Sequence, residues 1–166
     1  MSSRMDTVIE TRRLVLKVPS LKEFEPWCAF MGDEDAARYI GKAQPPSVVW
    51  RNICSIVGAW HEEGFAMFSV FEKATGRWVG RLGPWRPYQW PGNEVGWGLI
   101  RETWGKGYAF EGSVAAMDFA VDVVRCPCTA SAIPRWPSSP QAPASEVVTI
   151  TYKSAKSIIM AVPHDE

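Results

Sequence analysis

The 166-residue chain has few of the residues that build metal centres or bind charged polymers. It contains only two histidines, His61 and His164, so a multi-histidine metal site is not expected. Lysine plus arginine and aspartate plus glutamate number 18 each, which gives a formal net charge of zero. This balance gives no support for binding to nucleic acid or to a membrane surface. The sequence therefore predicts no metal and no nucleic-acid partner.

Long apolar stretches are also lacking. No run approaches the ~18 apolar residues of a membrane span, and the first residues, Met-Ser-Ser-Arg-Met-Asp, lack the apolar centre of a signal peptide. The four cysteines are most simply reduced thiols, and Cys126-x-Cys128 has no nearby histidine or second cysteine pair. We therefore expect a cytoplasmic protein with no membrane partner.

Residues 126–145 lack the pattern of a helix or a strand. This segment carries five prolines in 20 residues and is otherwise rich in serine and alanine. Proline at this density forbids a regular helix and disfavours a central strand. The chain is long enough for one domain with a substantial core. We therefore predict a single domain over residues 1–166 that contains an atypical Pro/Ser/Ala-rich segment.

A strand, a glycine-bearing turn and a helix follow one another over residues 93–125. Alternation of apolar and small or polar residues from Glu94 to Leu99 predicts a half-buried strand. After the turn, the period becomes helical, and a helical wheel places one set of apolar residues on the same face. That predicted face consists of Phe110, Val114, Met117, Val121 and Val124.

The start of this helix has no capping side chain. No Ser, Thr, Asp or Asn occupies residues 105–109, so the first backbone N–H groups have no obvious acceptor. Bare amides and the positive end of the helix dipole favour an anion such as phosphate, and Lys106 adds a positive charge beside them. The spacing of Gly105 and Gly107 fits neither common nucleotide-binding motif. The alternative interpretation is a plain strand-turn-helix connection.

Other elements are predicted from hydrophobic periodicity and from the positions of capping and turn residues. We expect one strand over Thr7–Val18, then a helix with a capping box at Ser20 and Glu23. A second helix is expected to have Ser47 as its N-cap and to end at Gly64. Two strands should follow, at 65–70 and 78–85, joined by a hairpin turn at 73–76. Two more strands are expected at 146–152 and 157–162.

Two sequence runs resemble a known family. Trp104-Gly105-Lys106-Gly107-Tyr108-Ala109 after a Glu-x-Gly-Trp strand, together with Glu-Thr-Arg-Arg-Leu-Val-Leu at 10–16, resembles the GNAT N-acetyltransferase superfamily. The similar branch is the one that includes the ribosomal-protein N-acetyltransferases. The resemblance covers about residues 7–125. In the family pattern Gln/Arg-x-x-Gly-x-Gly/Ala, Trp104 takes the first position, Gly107 the glycine and Ala109 the last small residue.

The resemblance implies a fold and a co-substrate. The fold is α/β, with a mixed, mostly antiparallel sheet, helices on both faces, and central strands that splay at the cofactor cleft. The co-substrate is acetyl-CoA, whose pantetheine would lie along the 94–100 strand and whose pyrophosphate would sit on the turn. The residues implied in this binding are Trp97, Gly98, Leu99, Trp104, Gly105, Lys106, Gly107, Tyr108, Ala109 and Phe110.

The implied reaction is direct acetyl transfer to a primary amine of a small molecule, a peptide or a protein N-terminus. An amine must lose a proton, and Glu94 is the candidate base; alternatively, Glu94 orients the neighbouring aromatic loop. Tyr88 and Tyr108 are alternative polar contacts, although Tyr108 also suits packing between helix and sheet. Because residues 126–145 depart from the family, the alternative function is a non-catalytic or impaired acyl-CoA-binding protein. Dimers are common in the family, so a homodimer is among the expected partners.

The aromatic loop at residues 85–92 has two interpretations. Trp85, Tyr88 and Trp90 could form the rim of the acceptor pocket, or their rings could cover the edge of the core. The sequence favours neither, and both remain open at this stage.

Overall fold

A computed structural model describes residues 4–37, 42–89 and 94–124, and the backbone of two further strands. The chain begins with a 3₁₀ turn at Arg4–Asp6, followed by strands β1 (Val8–Glu10) and β2 (Leu14–Lys17). The next elements are a 3₁₀ turn at Leu21–Glu23 and helices α1 (Phe24–Gly32), α2 (Glu34–Ala37) and α3 (Pro46–Glu63). Strands β3 (Phe68–Glu72), β4 (Trp78–Trp85) and β5 (Glu94–Leu99) follow.

The second half of the described chain begins with a 3₁₀ turn at Arg101–Thr103. Helix α4 spans Tyr108–Asp118 and continues as a π-helical turn at Phe119–Val123. Strands β6 (Val147–Tyr152) and β7 (Lys156–Ala161) form the expected antiparallel hairpin. Among the described strands, this hairpin pairs only with itself. The prediction for residues 126–145 lies outside the described residues.

Strands β1 to β5 form one sheet in chain order, and every pairing in it is antiparallel. The α/β fold class is confirmed. Helix α1 packs on one face, where Trp27 and Phe30 contact the ring of Trp78. Helix α4 packs on the other face, where Gly112 lies against Leu82. The indole of Trp78 donates to the hydroxyl of Ser69, so Trp78 and Ser69 lie on the same face of the sheet. The next residue along β3, Phe68, faces the opposite side and pairs with Leu82. Helices α1 and α4 therefore contact different faces of the sheet.

Several predicted boundaries are confirmed. The capping box at Ser20 and Glu23 is formed, β4 has the predicted bounds, and Gly64 ends α3 in the left-handed conformation with φ 75°. The predicted cap at Ser47 is wrong, because Pro45 occupies the N-cap and Pro46 the first helical position. Proline suits that position, since its fixed φ is helical and it lacks an N–H that would have no partner there.

The prediction of one strand over Thr7–Val18 is wrong, because the chain turns back on itself between β1 and β2. The amide of Thr11 donates to the carbonyl of Leu14 at 2.9 Å, and the Leu14 amide donates to the Thr11 hydroxyl at 2.9 Å. The side chain of Glu111, on α4, holds the same turn from outside. The apolar residues that indicated one strand therefore belong to two paired strands.

The predicted apolar face of α4 is buried only in part: Met117 is buried, and Val114, Val121 and Val124 are half-buried. Phe110 is 58% exposed, whereas the buried positions are mostly small residues. A Cβ atom at Gly112 would lie 2.4 Å from a methyl group of Leu82, so close approach of helix to sheet requires glycine there. The π turn then shifts the helical period, and a wheel drawn at 3.6 residues per turn fails beyond residue 118. The observed buried set is Tyr108, Gly112, Ser113, Ala116, Met117, Phe119 and Ala120.

Candidate acetyl-CoA and acceptor site

The glycine loop, residues 104–107, connects the 3₁₀ turn that follows β5 to α4 through two glycines in the left-handed conformation. Gly105 has φ 69° and Gly107, the N-cap residue of α4, has φ 73°. No side chain caps the helix, as predicted. The amide of Glu111 donates to the carbonyl of Gly107 at 3.1 Å, which closes the first turn.

The amides of residues 105–110 are open. Within the described part of the chain, none of these six N–H groups has a protein acceptor. A Cβ at Gly105 would meet no atom within 4 Å, so the space over the loop is clear. Unpaired amides at a helix N-terminus, with glycines that let a ligand approach, are the features that bind a phosphate group. The geometry of the loop therefore fits a diphosphate.

The cofactor residues predicted on β5 lie on the open edge of the described sheet. The Ile100 amide donates to Val79 at 2.9 Å, and hydrogen bonding alternates along an antiparallel pair. The amides and carbonyls of Trp97 and Leu99 are therefore directed away from β4, whereas those of Gly98 are directed at it. The Leu99 carbonyl accepts from the indole of Trp104 at 2.9 Å, which fixes the ring at the mouth of the glycine loop.

A network of side chains fastens the start of α4 to the sheet. The carboxylate of Glu111 accepts from the Thr11 hydroxyl at 2.6 Å, from the Arg13 amide at 2.8 Å and from Arg13 Nε at 2.7 Å. Burial alone raises the pKa of Glu111, but these three donors outweigh it and hold the pKa below its ordinary value. The network links α4 to the β1–β2 turn, although about a hundred residues separate them in the chain.

Tyr108 provides a second tether. Its ring is buried against the sheet, and its hydroxyl donates to Glu72 at the end of β3 at 2.7 Å. This bond raises the pKa of Tyr108 and lowers the pKa of Glu72. Tyr108 thus packs between helix and sheet, while its backbone amide remains part of the open row.

The predicted base, Glu94, begins β5 and is half-buried. It pairs across the strands with Trp85. Arg81 lies on the same face of the sheet, and its Nε is buried without a hydrogen-bond partner, while Nη1 contacts the sulfur of Met67 at 3.3 Å. Burial lowers the pKa of Arg81 to about 10, and the negative charge of Glu94 acts in the opposite direction. The sequence analysis missed this buried arginine.

A surface cavity of about 190 Å³ lies between α3 and the end of β4. Trp85 and Tyr88, two of the predicted acceptor residues, line it, and Tyr88 is 93% exposed; Trp90 lies outside the described residues. An ion pair at 3.3 Å between Arg86 and Glu63 spans the cavity wall. Other lining residues, which the sequence analysis did not identify, include Ala59 and Phe65.

Two other site types are absent from the described ranges. No cluster of three or more His, Cys, Asp or Glu side chains there is arranged to hold a metal ion. No described helix has both the length and the apolar character needed to cross a membrane.

Comparison with known proteins identifies the family. The sequence profile of the acetyltransferase (GNAT) domain matches residues 13–142. The match extends past residue 125, where the resemblance carried by the motifs ended. No curated protein sequence matches this chain.

Three solved structures illustrate the similarity. An acetyltransferase from Agrobacterium tumefaciens is 26% identical with a TM-score of 0.68, covering 73% of this chain and 70% of that one. A GNAT-family acetyltransferase from Bacillus anthracis is 19% identical with a TM-score of 0.60, covering 72% and 69%. A ribosomal-protein-S5-alanine acetyltransferase from Vibrio fischeri is 17% identical with a TM-score of 0.54, covering 70% and 68%. The last two similarities concern the fold alone.

Proposed function

The chain belongs to the GNAT acetyltransferase family. Within that family, we propose that it transfers the acetyl group of acetyl-CoA to a primary amine of a small molecule, a peptide or a protein N-terminus. The observation that carries the proposal is the row of open amides over residues 105–110, where a helix N-terminus meets two glycines. These groups fit the pyrophosphate of coenzyme A.

The strand next to the loop suits the rest of the co-substrate. Trp97 and Leu99 direct backbone groups to the open edge of β5, where an extended pantetheine arm can pair as an added strand does. In this arrangement the thioester carbonyl lies near an amide of the same stretch, which stabilises the oxyanion as the amine attacks. A carbon–nitrogen bond forms, the carbon–sulfur bond breaks, and coenzyme A leaves as a thiol after gaining a proton.

Glu94 is the proposed base that removes a proton from the amine. It lies at the opposite end of β5 from the glycine loop, about 17 Å from Leu99 at the usual rise per residue. Its cross-strand neighbour, Trp85, lines the cavity of about 190 Å³. In this proposal, an amine held in that cavity lies beside Trp85, the residue that pairs with Glu94 across the strands. A larger cavity of about 420 Å³ adjoins Ile100 at the loop end of β5, far from this carboxylate.

The substitution Glu94→Gln tests the base. We expect kcat to fall about 10²- to 10⁴-fold, the usual contribution of a general base, with no change in the Kd for coenzyme A. Thiol release across an amine panel and calorimetric binding measure the two quantities. Glu25→Gln on the exposed side of α1 serves as the matched control. An unchanged kcat in Glu94→Gln would leave the carboxylate only the role of orienting the aromatic loop.

A second candidate function is binding of acyl-CoA without catalysis. The five prolines of residues 126–145 favour it, because they stand where the family resemblance implies a helix. Coenzyme A at a hundred times its Kd would then stabilise the protein by roughly 2.7 kcal/mol. No amine of the panel would cause release of the coenzyme A thiol from acetyl-CoA. Wild-type turnover of any amine rules this candidate out.

We further propose that residues 1–166 form a single domain and that the protein is located in the cytoplasm. We also propose that it assembles as a homodimer. Sedimentation equilibrium measures the assembly directly. Proteins similar in fold include an enzyme that acts on a ribosomal protein, so ribosomal N-termini belong in the acceptor panel.

A further inference from the structure

The guanidinium group of Arg13 lies directly beside the glycine loop, although Arg13 precedes β2 and is far from the loop in the sequence. Its Nη2 lies 3.6 Å from the position that a Cβ at Gly107 would occupy, and its Cζ lies 4.7 Å from the centre of the Tyr108 ring. The guanidinium is thus wedged against the first residues of α4. The side chain of Arg13 is 33% exposed, so a ligand in solvent can reach it.

Only one guanidinium donor of Arg13 is used by the described protein. Nε donates to Glu111 at 2.7 Å, and this bond fixes the plane of the group. The four N–H donors on Nη1 and Nη2 have no acceptor among the described residues. An arginine fixed by one carboxylate presents its remaining fork to an anion with little loss of side-chain freedom.

We propose that Arg13 binds the pyrophosphate of the acyl donor together with the open amides of residues 105–110. The inference rests on the proposed function, because it assigns a further residue to the same co-substrate. Glu111 acts as the positioning residue that orients Arg13. The pyrophosphate is favoured over the 3′-phosphate of coenzyme A because Nη2 lies over Gly107, at the centre of the amide row.

The test compares ligands with and without each phosphate in the full-length protein. Arg13→Gln should weaken the binding of both coenzyme A and 3′-dephospho-coenzyme A roughly ten- to a hundredfold, as expected for loss of charge-assisted hydrogen bonds. Turnover of S-acetylpantetheine, which lacks all phosphates, should stay within about twofold of wild type. Arg13→Lys, which keeps the charge and loses the fork, should give an intermediate Kd.

Arg12 provides the matched control, since it is the exposed neighbour in the same turn. Arg12→Gln should bind both ligands as wild type does. Equal losses with all three ligands would overturn the inference, because Arg13 would then act only through the fold. A loss that disappears with 3′-dephospho-coenzyme A would assign Arg13 to the 3′-phosphate and overturn the pyrophosphate assignment.

The failure of this inference is distinct from the failure of the proposed function. If the wild type acetylates amines and Arg13→Gln binds coenzyme A normally, the inference alone is wrong. If the wild type binds no coenzyme A at all, both are wrong.

Discussion

Two neighbouring turns differ in whether their backbone amides have acceptors within the protein. The β1–β2 turn, residues 11–13, bonds its polar groups within the protein, to Leu14, to the Thr11 hydroxyl and to Glu111. The glycine loop and the first turn of α4 leave six consecutive amides without a described acceptor. Unpaired amides are costly unless water or a ligand meets them. The open row therefore lies next to a turn whose amides at Thr11, Arg13 and Leu14 bond within the protein and fasten it to α4.

The largest expected effect comes from closing the open turn. Gly107→Val places a branched side chain at φ 73°, against Arg13 and beside the amides. We expect a loss of about 1–2 kcal/mol in the free energy of unfolding from backbone strain. We also expect the affinity for coenzyme A to fall on the order of a hundredfold, because the side chain covers the donors. Urea unfolding and calorimetric titration measure these two quantities.

Gly76→Val is the matched control for that substitution. Gly76 has φ 69° in the β3–β4 hairpin turn, and a Cβ there would meet no atom within 4 Å. It should lose a similar amount of stability and no affinity for coenzyme A. Equal losses of affinity in both variants would mean that the glycine loop has no special relation to the ligand.

The same contrast explains what the sequence could predict. The missing cap of α4, the strand ahead of it and the capping box at Ser20 are signalled by residues within a few positions of one another. Glycine, proline and capping residues act through their own φ angles and nearest amides. The glycine loop and the uncapped start of α4 could therefore be predicted from the sequence, because no capping residue stands between residues 105 and 109.

The supporting half could not be predicted, because it depends on contacts between distant parts of the chain. The split between β1 and β2 is held by Glu111, and the buried face of α4 is set by the contact between Gly112 and Leu82. The surroundings of Arg81 include the sulfur of Met67, just before β3, and the charge of Glu94 on β5. No periodicity within one segment carries that information.

A smaller effect should follow from weakening the β1–β2 turn. Thr11→Val removes a hydroxyl that donates to Glu111 and accepts from the Leu14 amide. Both partners are partly buried, so we expect a loss of about 1–3 kcal/mol in the free energy of unfolding. The urea midpoint measures it. Thr75→Val, in the exposed β3–β4 turn, removes a hydroxyl with two bonds to water-exposed partners and should cost less than about 1 kcal/mol.

The two threonine variants sharpen the comparison through their ligand affinities as well. If the β1–β2 turn supports the glycine loop, Thr11→Val should weaken coenzyme A binding by a few-fold, whereas Thr75→Val should leave it unchanged. A Thr11→Val protein with a lower urea midpoint and wild-type affinity would show that the two turns are neighbours without being coupled.

The smallest expected effect is the dependence of stability on pH that comes from Glu111. Its pKa in the folded protein is below the ordinary value of 4.5, so its contribution is complete above that value and is lost as the pH falls through the folded pKa. Between pH 6 and pH 3, wild type should therefore lose more unfolding free energy than Glu111→Gln, which has no proton to gain. Glu34→Gln, an exposed glutamate in the first turn of α2, should keep the wild-type pH profile. If Glu111→Gln also keeps that profile, the carboxylate is not the charged link between the two turns, and the support for the glycine loop must come from Tyr108 and Glu72.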